Sequence, residues 1–312
     1  MKRVQKRGRE VDGVLLFDKP IGLTSNTALQ EVKRLYEAQK AGHTGSLDPL
    51  ASGMLPLCFG EATKLSGFLL DADKRYWAEF HFGVTTTTGD AHGEVLTTKE
   101  VRTLEEAAIL QVLAQYTGSM QQIPPMHSAI KVQGRPLYSL AHKGLTVERA
   151  PRSITVYEFK LLAIEANRIR VQIHCSKGTY IRTLAEDVGE ALGIGAHVSA
   201  LRRLSVGPFT NSNAMINLER LRCIEDLAEL DALLLPMDSA LGQWPSVSLA
   251  NDSVFYMRQG QPVLVPHSPT KGLVRLYTRK KSPIGIENGS FIGVGEVLED
   301  GRIGPKRLLA SS

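Results

Sequence analysis

The segment GHTGSLDPLASG, residues 42–53, places one carboxylate, Asp48, among three glycines. Glycines allow tight bends and close approach to a ligand, while Pro49 biases Asp48 away from helical geometry. Such an arrangement presents a carboxylate at a cleft, where it can serve as a nucleophile. An aspartate before proline is also a common turn former, so both interpretations stay open on this segment alone. The phosphate-loop pattern GxxxxGK[ST] is absent.

A second segment, KGTYIRTLAED over residues 177–187, brings an aromatic ring close to a guanidinium. Tyr180 and Arg182 are two residues apart, so both face one way where the chain is extended. A ring beside a guanidinium suits a flipped base next to a carboxylate. The alternatives are core packing for Tyr180 and, for Arg182, a surface ion pair with Glu186 at i+4.

The composition, with 43% hydrophobic and 22% charged residues, is that of a globular protein. No apolar run is long enough to span a bilayer, so we expect a cytoplasmic protein without membrane contact. The cysteines Cys58, Cys175 and Cys223 are widely spaced and odd in number, which favours buried reduced thiols over disulfides or a zinc ribbon. The histidines form no HxxxH or HxH pair, and we expect no metal site.

Positive charge is concentrated at the two ends of the chain. Residues 1–10 carry a net charge of +4, residues 247–312 also carry +4, and the remainder is slightly acidic. This distribution fits a polyanion held between the ends. A solubilising tail and a solvated face would produce the same distribution.

Periodicity and turn residues predict alternating strands and helices. Strands are expected at 13–18, 75–83, 153–164 and 168–175. Helices are expected at 25–38, 61–70, 181–192 and within 217–234, and another begins at a capping box over 103–106 and ends near 118. Residues 42–60 form a glycine-rich segment between two of these helices. From residue 247 the texture changes to short β-like runs at 262–265, 273–277 and 291–294.

Five segments in one order resemble the TruB family of bacterial pseudouridine synthases. They are KPIGLTS (19–25), GHTGSLDPLASGMLP (42–56), KRY (74–76), IPPMHSAIK (123–131) and GTYIR (178–182). The similarity covers residues 11 to 305, and the Asp48 segment is its most specific part. Departures are slight: Ser46 and Ser52 stand where threonine is common, and Met54 where valine is common.

The resemblance implies an α+β protein in two folded domains. A pseudouridine synthase catalytic domain, with a mixed, mainly antiparallel sheet flanked by helices and loops, is expected over 11–246. A basic tail over 1–10 precedes it, and a small β-rich, PUA-like RNA-binding domain over 247–312 follows it. The proline-rich stretch over 123–152 is long for a connection, which is typical of functional loops. We expect it to be an insertion that clamps RNA.

The resemblance also implies the reaction, the isomerisation of the T-loop uridine at position 55 of tRNA. The N1–C1′ bond breaks, the uracil turns, and it rejoins through C5, so neither redox chemistry nor a cofactor is needed. Asp48 is implied as the nucleophile. The pattern leaves open whether it attacks C1′ or acts by another route. Arg182 would keep Asp48 ionised by lowering its pKa.

The resemblance also assigns the remaining site residues to particular places around the base. Tyr76 would lie near C5 as stacking partner or proton acceptor, Tyr180 would contact the base, and Leu201 would line the uracil pocket. His43 would enter the opened RNA loop as the base flips out; a structural histidine is the alternative. Asp90 would organise the pocket, with a turn role as its alternative. Lys19 and Lys64 would contact phosphate or support the site, with solvated surface lysines as the alternative.

The expected partner is the T-arm stem-loop of tRNA, bound by a monomer without an obligatory protein partner. One rival interpretation is a guide-RNA-dependent synthase, which shares the aspartate motif and the PUA-like end. The 123–152 insertion argues against it, because a stand-alone enzyme needs its own clamp. A second rival is an RNA-binding or RNA-folding protein whose catalysis is secondary.

Overall fold

A large mixed sheet dominates the computed structural model, which describes residues 8–132, 134–141, 143–282 and 285–310. The strands are β1 (Gly13–Lys19), β2 (Ala41–His43), β3 (Ala51–Phe59), β4 (Lys74–Phe82), β5 (Val84–Thr86), β6 (Val95–Thr98), β7 (Gly118–Gln122), β8 (Lys131–Val132), β9 (Arg135–Pro136), β10 (Arg152–Glu165), β11 (Arg168–Cys175), β12 (Ala196–Val206), β13 (Ile216–Asn217), β14 (Ser246–Leu249), β15 (Gly272–Ser282), β16 (Gly285–Val297) and β17 (Ile303–Leu308). The helices are α1 (Ser25–Leu35), α2 (Ser66–Leu70), α3 (Glu106–Gln115), α4 (Leu137–Ala141), α5 (Ile181–Ala191), α6 (Leu218–Arg222), α7 (Leu227–Asp231) and α8 (Asn251–Arg258), with 3-10 turns at Gly60–Leu65, Ser212–Ala214 and Met237–Leu241.

The large sheet has the strand order β13-β1-β3-β12-β4-β11-β10-β7, and β2 pairs with β3 at one side. Most neighbours are antiparallel, whereas β3 runs parallel to β12 and β1 parallel to β13. Strands β14 to β17 form a separate sheet in sequence order. The predicted α+β class, with a mixed sheet and a β-rich C-terminal region, is confirmed.

The centre of the sheet, where β3, β12 and β4 lie side by side, forms a floor. Arg203 of β12 pairs with Gly53 on one side and with Tyr76 on the other. Gly53 has φ +99°, and a Cβ there would stand 2.3 Å from the Arg203 carbonyl oxygen. Only glycine allows so close an approach of two backbones, so Gly53 is required for β3 to lie against β12.

Apolar clusters hold the elements together, and one of them, which includes Leu249 and Leu276, is the core of the C-terminal region itself. The largest one lies between the sheet and helices α1, α3, α5 and α6, and it includes Phe17, Phe80 and Leu184. Another lies under the other face of β1 and β3 and includes residues from the C-terminal region, Val294 and Leu309. The C-terminal sheet is therefore packed against the large sheet through buried side chains.

Several sequence expectations need correction. The capping box is wrong: α3 begins at Glu106 after Glu105, which makes no side-chain cap. Helix α1 begins at Ser25 as predicted, after Thr24 as its N-cap, but ends at Leu35 rather than at 38. The run 262–265 forms only an isolated bridge from Val263 to Ile303, because Pro262 and Pro266 cannot donate ladder hydrogen bonds.

Several elements were not predicted, and the longest of them are β3, β12 and α8. Strand β3 lies in the segment that glycines marked as a loop, and it is buried on both faces, so it lacks the alternation of a half-exposed strand. Cys58 and Cys175 are buried as expected, but Cys223 is exposed.

The N-terminal tail and the domain limits were also predicted from the sequence. Most of the basic N-terminal tail lies outside the described residues. Arg9, which is described, pairs with Asp231 at 2.6 Å and donates to the Tyr36 carbonyl, so its charge is used within the fold. The domain boundaries at 10/11 and 246/247 stay predictions. Of the helices described, none has both the length and the apolar character needed to span a membrane.

Candidate active site

Asp48 lies in the loop between β2 and β3, and the N-terminal end of α1 holds this loop in place. The Ser25 hydroxyl accepts from the Leu47 N–H at 2.7 Å and approaches the Leu47 carbonyl at 3.0 Å. Gly22 donates its N–H to the Pro49 carbonyl at 2.8 Å. The segment that contains Gly22 and Ser25 therefore fixes the residues on both sides of Asp48.

Arg182 is the direct partner of this carboxylate. Its Nε lies 2.9 Å from Asp48 Oδ2, and its two other nitrogens donate to the carbonyls of Thr88 and His127, each at 2.7 Å. The side chain is only 5% exposed, so the surface ion pair with Glu186 is wrong. Arg182 also lies in the first turn of α5 rather than in extended chain, and Tyr180 is the N-cap of that helix.

Asp90 is a second buried carboxylate at the same guanidinium. Its Oδ2 lies 3.8 Å from Arg182 Nε, while Oδ1 accepts from the Thr88 hydroxyl at 2.6 Å and from the His92 N–H at 3.0 Å. The turn at Gly89 and Asp90 thus does more than reverse the chain, because it brings a negative charge to Arg182.

The pKa of Asp48 is set by opposing influences. Desolvation by the surrounding protein raises it above the ordinary value, and this is the largest influence; Arg182 lowers it, and Asp90 raises it. The side chain keeps 41% of its surface exposed on the open side of the site. The expectation about Arg182 is right for the sign of that interaction, but the net pKa is raised rather than lowered.

Tyr76 and Leu201 lie on the floor beside this loop. They are 9% and 8% exposed, respectively, and Leu201 pairs in register with Ala51 of β3 and Ala78 of β4. Burial raises the pKa of the Tyr76 hydroxyl, and the nearby Arg203 opposes that effect. The charge of Asp48 also acts on this hydroxyl, so Tyr76 and Asp48 belong to one electrostatic site.

Tyr180 and His43 stand at the margins of the site. The Gln122 side chain fixes the backbone of Tyr180, accepting from its N–H at 2.8 Å and donating to its carbonyl at 3.0 Å. Desolvation lowers the pKa of His43 and Arg203 acts in the same direction, which favours a neutral imidazole. Its buried Nδ1 lacks a hydrogen-bond partner among the described residues, unlike a fully satisfied structural histidine.

The two lysines behave differently from a phosphate-binding pair. Lys19 is fully buried and donates to the carbonyls of Pro20 and Leu23 at 2.8 and 2.7 Å. Burial lowers its pKa to about 8, and Asp48 partly offsets that effect. Lys19 therefore supports the loop from below and cannot reach phosphate in this conformation. Lys64 pairs at 2.5 Å with Glu61, which is not one of the site residues.

Sequence reasoning missed three residues that hold the site together: Arg203, Gln122 and Thr88. Arg203 is fully buried and donates to the carbonyls of Gly45 and Met54. The only sequence signal was the pair of arginines after Leu201. Had β12 been predicted, its alternation would have turned one of those arginines inward.

The segment over 123–152 reaches the site at one point. It contains β8, β9 and α4, and its first part supplies the His127 carbonyl that accepts from Arg182. Its basic side chains are mostly exposed; they are Lys131, Arg135, Lys143 and Arg152, with Arg149 half-buried and donating to the Pro124 carbonyl. In the described parts of the chain, no group of histidine, cysteine and acidic side chains is arranged to hold a metal.

Comparisons with known proteins agree with this architecture. The family model for the "TruB family pseudouridylate synthase (N terminal domain)" matches residues 33–181. Models for the "tRNA pseudouridylate synthase B C-terminal domain" and for "Pseudouridine synthase II TruB, C-terminal" match 182–242 and 245–309.

Curated relatives match along the whole chain. The tRNA pseudouridine synthase B of Nitrosococcus oceani is 52% identical and covers 100% of this chain and 99% of the relative. That of Stutzerimonas stutzeri is also 52% identical, with 100% of both covered. Among solved structures, a chain of a Cbf5-Nop10-Gar1 complex is 27% identical with a TM-score of 0.70, covering 96% of this chain and 84% of that one.

Proposed function

This chain belongs to the TruB family of pseudouridylate synthases, and on that basis we propose that it isomerises the T-loop uridine at position 55 of tRNA. The family match makes it an isomerase that acts on tRNA. The observation that carries the assignment of chemistry to this site is the Asp48–Arg182 pair at 2.9 Å. It stands beside a floor made by Tyr76 and Leu201.

In the proposed reaction Asp48 is the nucleophile. The N1–C1′ bond breaks, the detached uracil turns between Tyr76 and Leu201, and a C5–C1′ bond forms. The C5 proton then leaves and N1 takes up a proton, so atoms and charge balance without a cofactor. Nucleophilic attack requires the ionised carboxylate. Arg182 favours that form against the desolvation that raises the Asp48 pKa.

Three further residues receive roles in handling the base. Tyr76 stacks on the uracil and takes the C5 proton, and Tyr180 contacts the base from the helix side. His43 occupies the space that the flipped nucleotide vacates. A neutral imidazole suits insertion into a stack of bases, because it leaves no charge to desolvate. Asp90 organises Arg182, and Lys19 supports the loop.

The outer parts of the chain are proposed to hold the RNA. The insertion over 123–152 presents exposed cations beside the site. Phosphate contacts of this kind position a nucleic acid without reading its sequence. The region over 247–312 is proposed as a PUA-like RNA-binding domain, and the basic tail over 1–10 as an added attraction. The catalytic domain is proposed to span 11–246.

We propose that the protein works as a monomer without a guide RNA or protein partner. The solved neighbour belongs to an assembly with Nop10 and Gar1, but that chain is 27% identical. The relatives at 52% identity over the full length are named for tRNA. A cytoplasmic location follows from the proposed substrate.

The test uses purified protein and an unmodified tRNA transcript, with pseudouridine located by chemical mapping. We expect one modified position, in the T-loop, without added RNA or protein. A transcript with cytidine in place of that uridine is the matched control and should yield no product. Modification elsewhere would contradict the proposed target, and a requirement for added guide RNA would contradict the stand-alone assignment.

A further inference from the structure

Arg203 in β12 carries a positive charge that protein encloses almost completely. Its side chain is 1% exposed and is the largest of those fully buried. Across the described parts of the chain its guanidinium forms no ion pair with a carboxylate; its hydrogen bonds go to carbonyl oxygens instead. A buried charge without a counterion is energetically costly, so its position beside the site needs a reason.

The hydrogen bonds of Arg203 connect it to both ends of the Asp48 loop. Its Nε donates to the Met54 carbonyl at 2.7 Å, and its Nη2 donates to the Gly45 carbonyl at 3.1 Å. Gly45 precedes Asp48 by three residues, and Met54 follows it on β3. A planar guanidinium that binds two carbonyls holds their separation, which a lysine cannot do in the same way.

The same side chain adjoins Tyr76. Arg203 and Tyr76 are directly opposite each other in β12 and β4, so their side chains share one face of the sheet. Desolvation raises the pKa of the Tyr76 hydroxyl, and Arg203 opposes this. The other groups acting on the hydroxyl are Cys175 of β11 and Asp48 of the loop, and both raise the pKa. Arg203 is the one cation in this set.

We propose that Arg203 is a positioning residue that acts through Tyr76: its bonds to two carbonyls fix the guanidinium beside Tyr76, and its charge prepares the phenolic oxygen to take the C5 proton. This rests on the proposed function, which requires that proton to leave. In the step, the C5–H bond breaks and its electron pair forms the C5–C6 double bond. The pair displaced from C6 returns to N1, which takes up a proton. The form of Tyr76 that accepts the C5 proton is the phenolate, which arises when the phenol gives its own proton to solvent, and a cation beside the oxygen stabilises that form.

The first experiment measures single-turnover pseudouridine formation at saturating tRNA over a range of pH. We expect Arg203→Gln to slow the reaction by about 10²-fold at neutral pH, within the range of general acid–base contributions. While Tyr76 stays protonated in both proteins, the two rates should rise together with pH and the deficit should stay constant. It should shrink only once pH passes the wild-type pKa of the phenol, which burial raises above its ordinary value, because a phenol without the neighbouring cation ionises at still higher pH. Arg203→Lys keeps the charge and should stay closer to the wild-type pH profile. A deficit that persists unchanged beyond the pH at which the wild-type rate levels off would overturn the proposal.

The second experiment is a double-mutant cycle with Tyr76→Phe. If Arg203 acts through the Tyr76 hydroxyl, adding Arg203→Gln to Tyr76→Phe should slow the reaction little further. Losses that multiply would show that the two residues act separately, which contradicts the proposal. If Arg203→Gln does not fold, as judged by thermal unfolding, Arg203→Met, which also removes the charge but leaves no polar group buried, takes its place in the cycle with the same two outcomes.

Arg202 supplies the matched control, because it is the next residue on the same strand but faces the other side of the sheet. It pairs with Asp18 at 2.7 Å, and Arg202→Gln should leave the pH dependence of the rate unchanged. Failure of the proposed function would look different from failure of this inference. In the first case the wild-type protein forms no pseudouridine, whereas in the second it does and Arg203→Gln matches it.

Discussion

The floor of the site and the insertion over 123–152 hold their cationic side chains in opposite ways. On the floor, Arg203 is enclosed and donates to main-chain carbonyls. In the insertion, Lys131, Arg135 and Lys143 are exposed. An enclosed guanidinium group that donates to several acceptors keeps those acceptors in fixed positions. Exposed cations attract a polyanion instead, over a distance that shortens as the salt concentration rises.

The two regions meet at Arg182. Its Nε binds Asp48 on the floor side, and one of its terminal nitrogens donates to the His127 carbonyl of the insertion. Because the two regions differ in this way, we expect the rate of the chemical step and the affinity for tRNA to be changed separately by substitutions, except at Arg182. Substitutions on the floor should change the chemical step, and substitutions at the outer cations should change binding and its salt dependence.

The largest expected effect is that of Asp48→Asn. The variant keeps the size of the side chain but loses the charge needed for attack, and we expect the single-turnover rate to fall on the order of 10⁴-fold. Binding of tRNA should be retained, as measured by filter binding. Asp300→Asn, in an exposed pair with Arg302, is the control and should be fully active. Substantial turnover by Asp48→Asn would contradict the assignment of the chemistry to this carboxylate.

Arg182→Lys comes next, because it preserves charge but not the fork that binds Asp48 and two carbonyls. We expect a loss of about 10²- to 10³-fold, as for other preorganised donors. Activity needs ionised Asp48, whose pKa is already raised by desolvation. A weaker partner raises that pKa further, so the fall in rate at low pH should begin at a higher pH. A normal rate with an unshifted pH profile would show that Arg182 does not act on Asp48.

Tyr76→Phe keeps the ring and removes the hydroxyl. We expect product formation to slow by about 10²-fold, within the range for a lost acid–base group, with a modest loss of binding. The rate is followed by mapping pseudouridine over time. Tyr277→Phe, in the C-terminal sheet beside Asp238, is a matched control. Equal rates for wild type and Tyr76→Phe would mean that the hydroxyl has no essential role and that Tyr76 only stacks on the base.

Neutralising the insertion should affect binding alone. We expect the combined variant Lys131→Ala, Arg135→Ala and Lys143→Ala to weaken tRNA binding and to lower the salt slope by roughly 0.7–0.9 for each phosphate that no longer has a cation beside it. The single-turnover rate at saturating RNA should be unchanged. Arg168→Ala, half exposed and paired with Glu79, should leave the slope as it is. If the salt slope of the triple variant equals that of the wild type, these cations do not contact RNA phosphates and are only part of a solvated surface.

The smallest effect is expected at the C-terminal sheet. Deleting residues 250–312 would uncover the buried side chains that Val294 and Leu309 pack against, so loss of folding would obscure any loss of binding. Lys306→Ala with Arg307→Ala removes two exposed charges of β17 instead. We expect slightly weaker binding with a smaller salt slope and the same unfolding temperature. No change in slope would mean that this face does not touch RNA.

Much of the fold could be read from local patterns. Strands β4, β10 and β11 and helices α1 and α5 lie close to where periodicity predicted them, because residues on their more buried and more exposed faces recur at regular spacing. Strand β1 is buried on both faces and was predicted from its short apolar run instead. Strand β3 was missed, since it is buried on both faces and contains Gly53 and Pro56. Helix α8 was missed because it is short and weakly patterned in a region rich in turns.

The sequence by itself determined the residue types of the site, since Asp48 among its glycines, Tyr76 and Arg182 stand in segments whose order is distinctive. Only the tertiary structure decided how they act on one another. Apart from Asp48, the hydrogen-bond partners of Arg182 and Arg203 described above are main-chain carbonyls, those of Thr88, His127, Gly45 and Met54. Every residue has a carbonyl, so no pattern of side chains marks these partners. The net pKa of Asp48 likewise depends on how much protein surrounds it, and that is a property of packing in three dimensions.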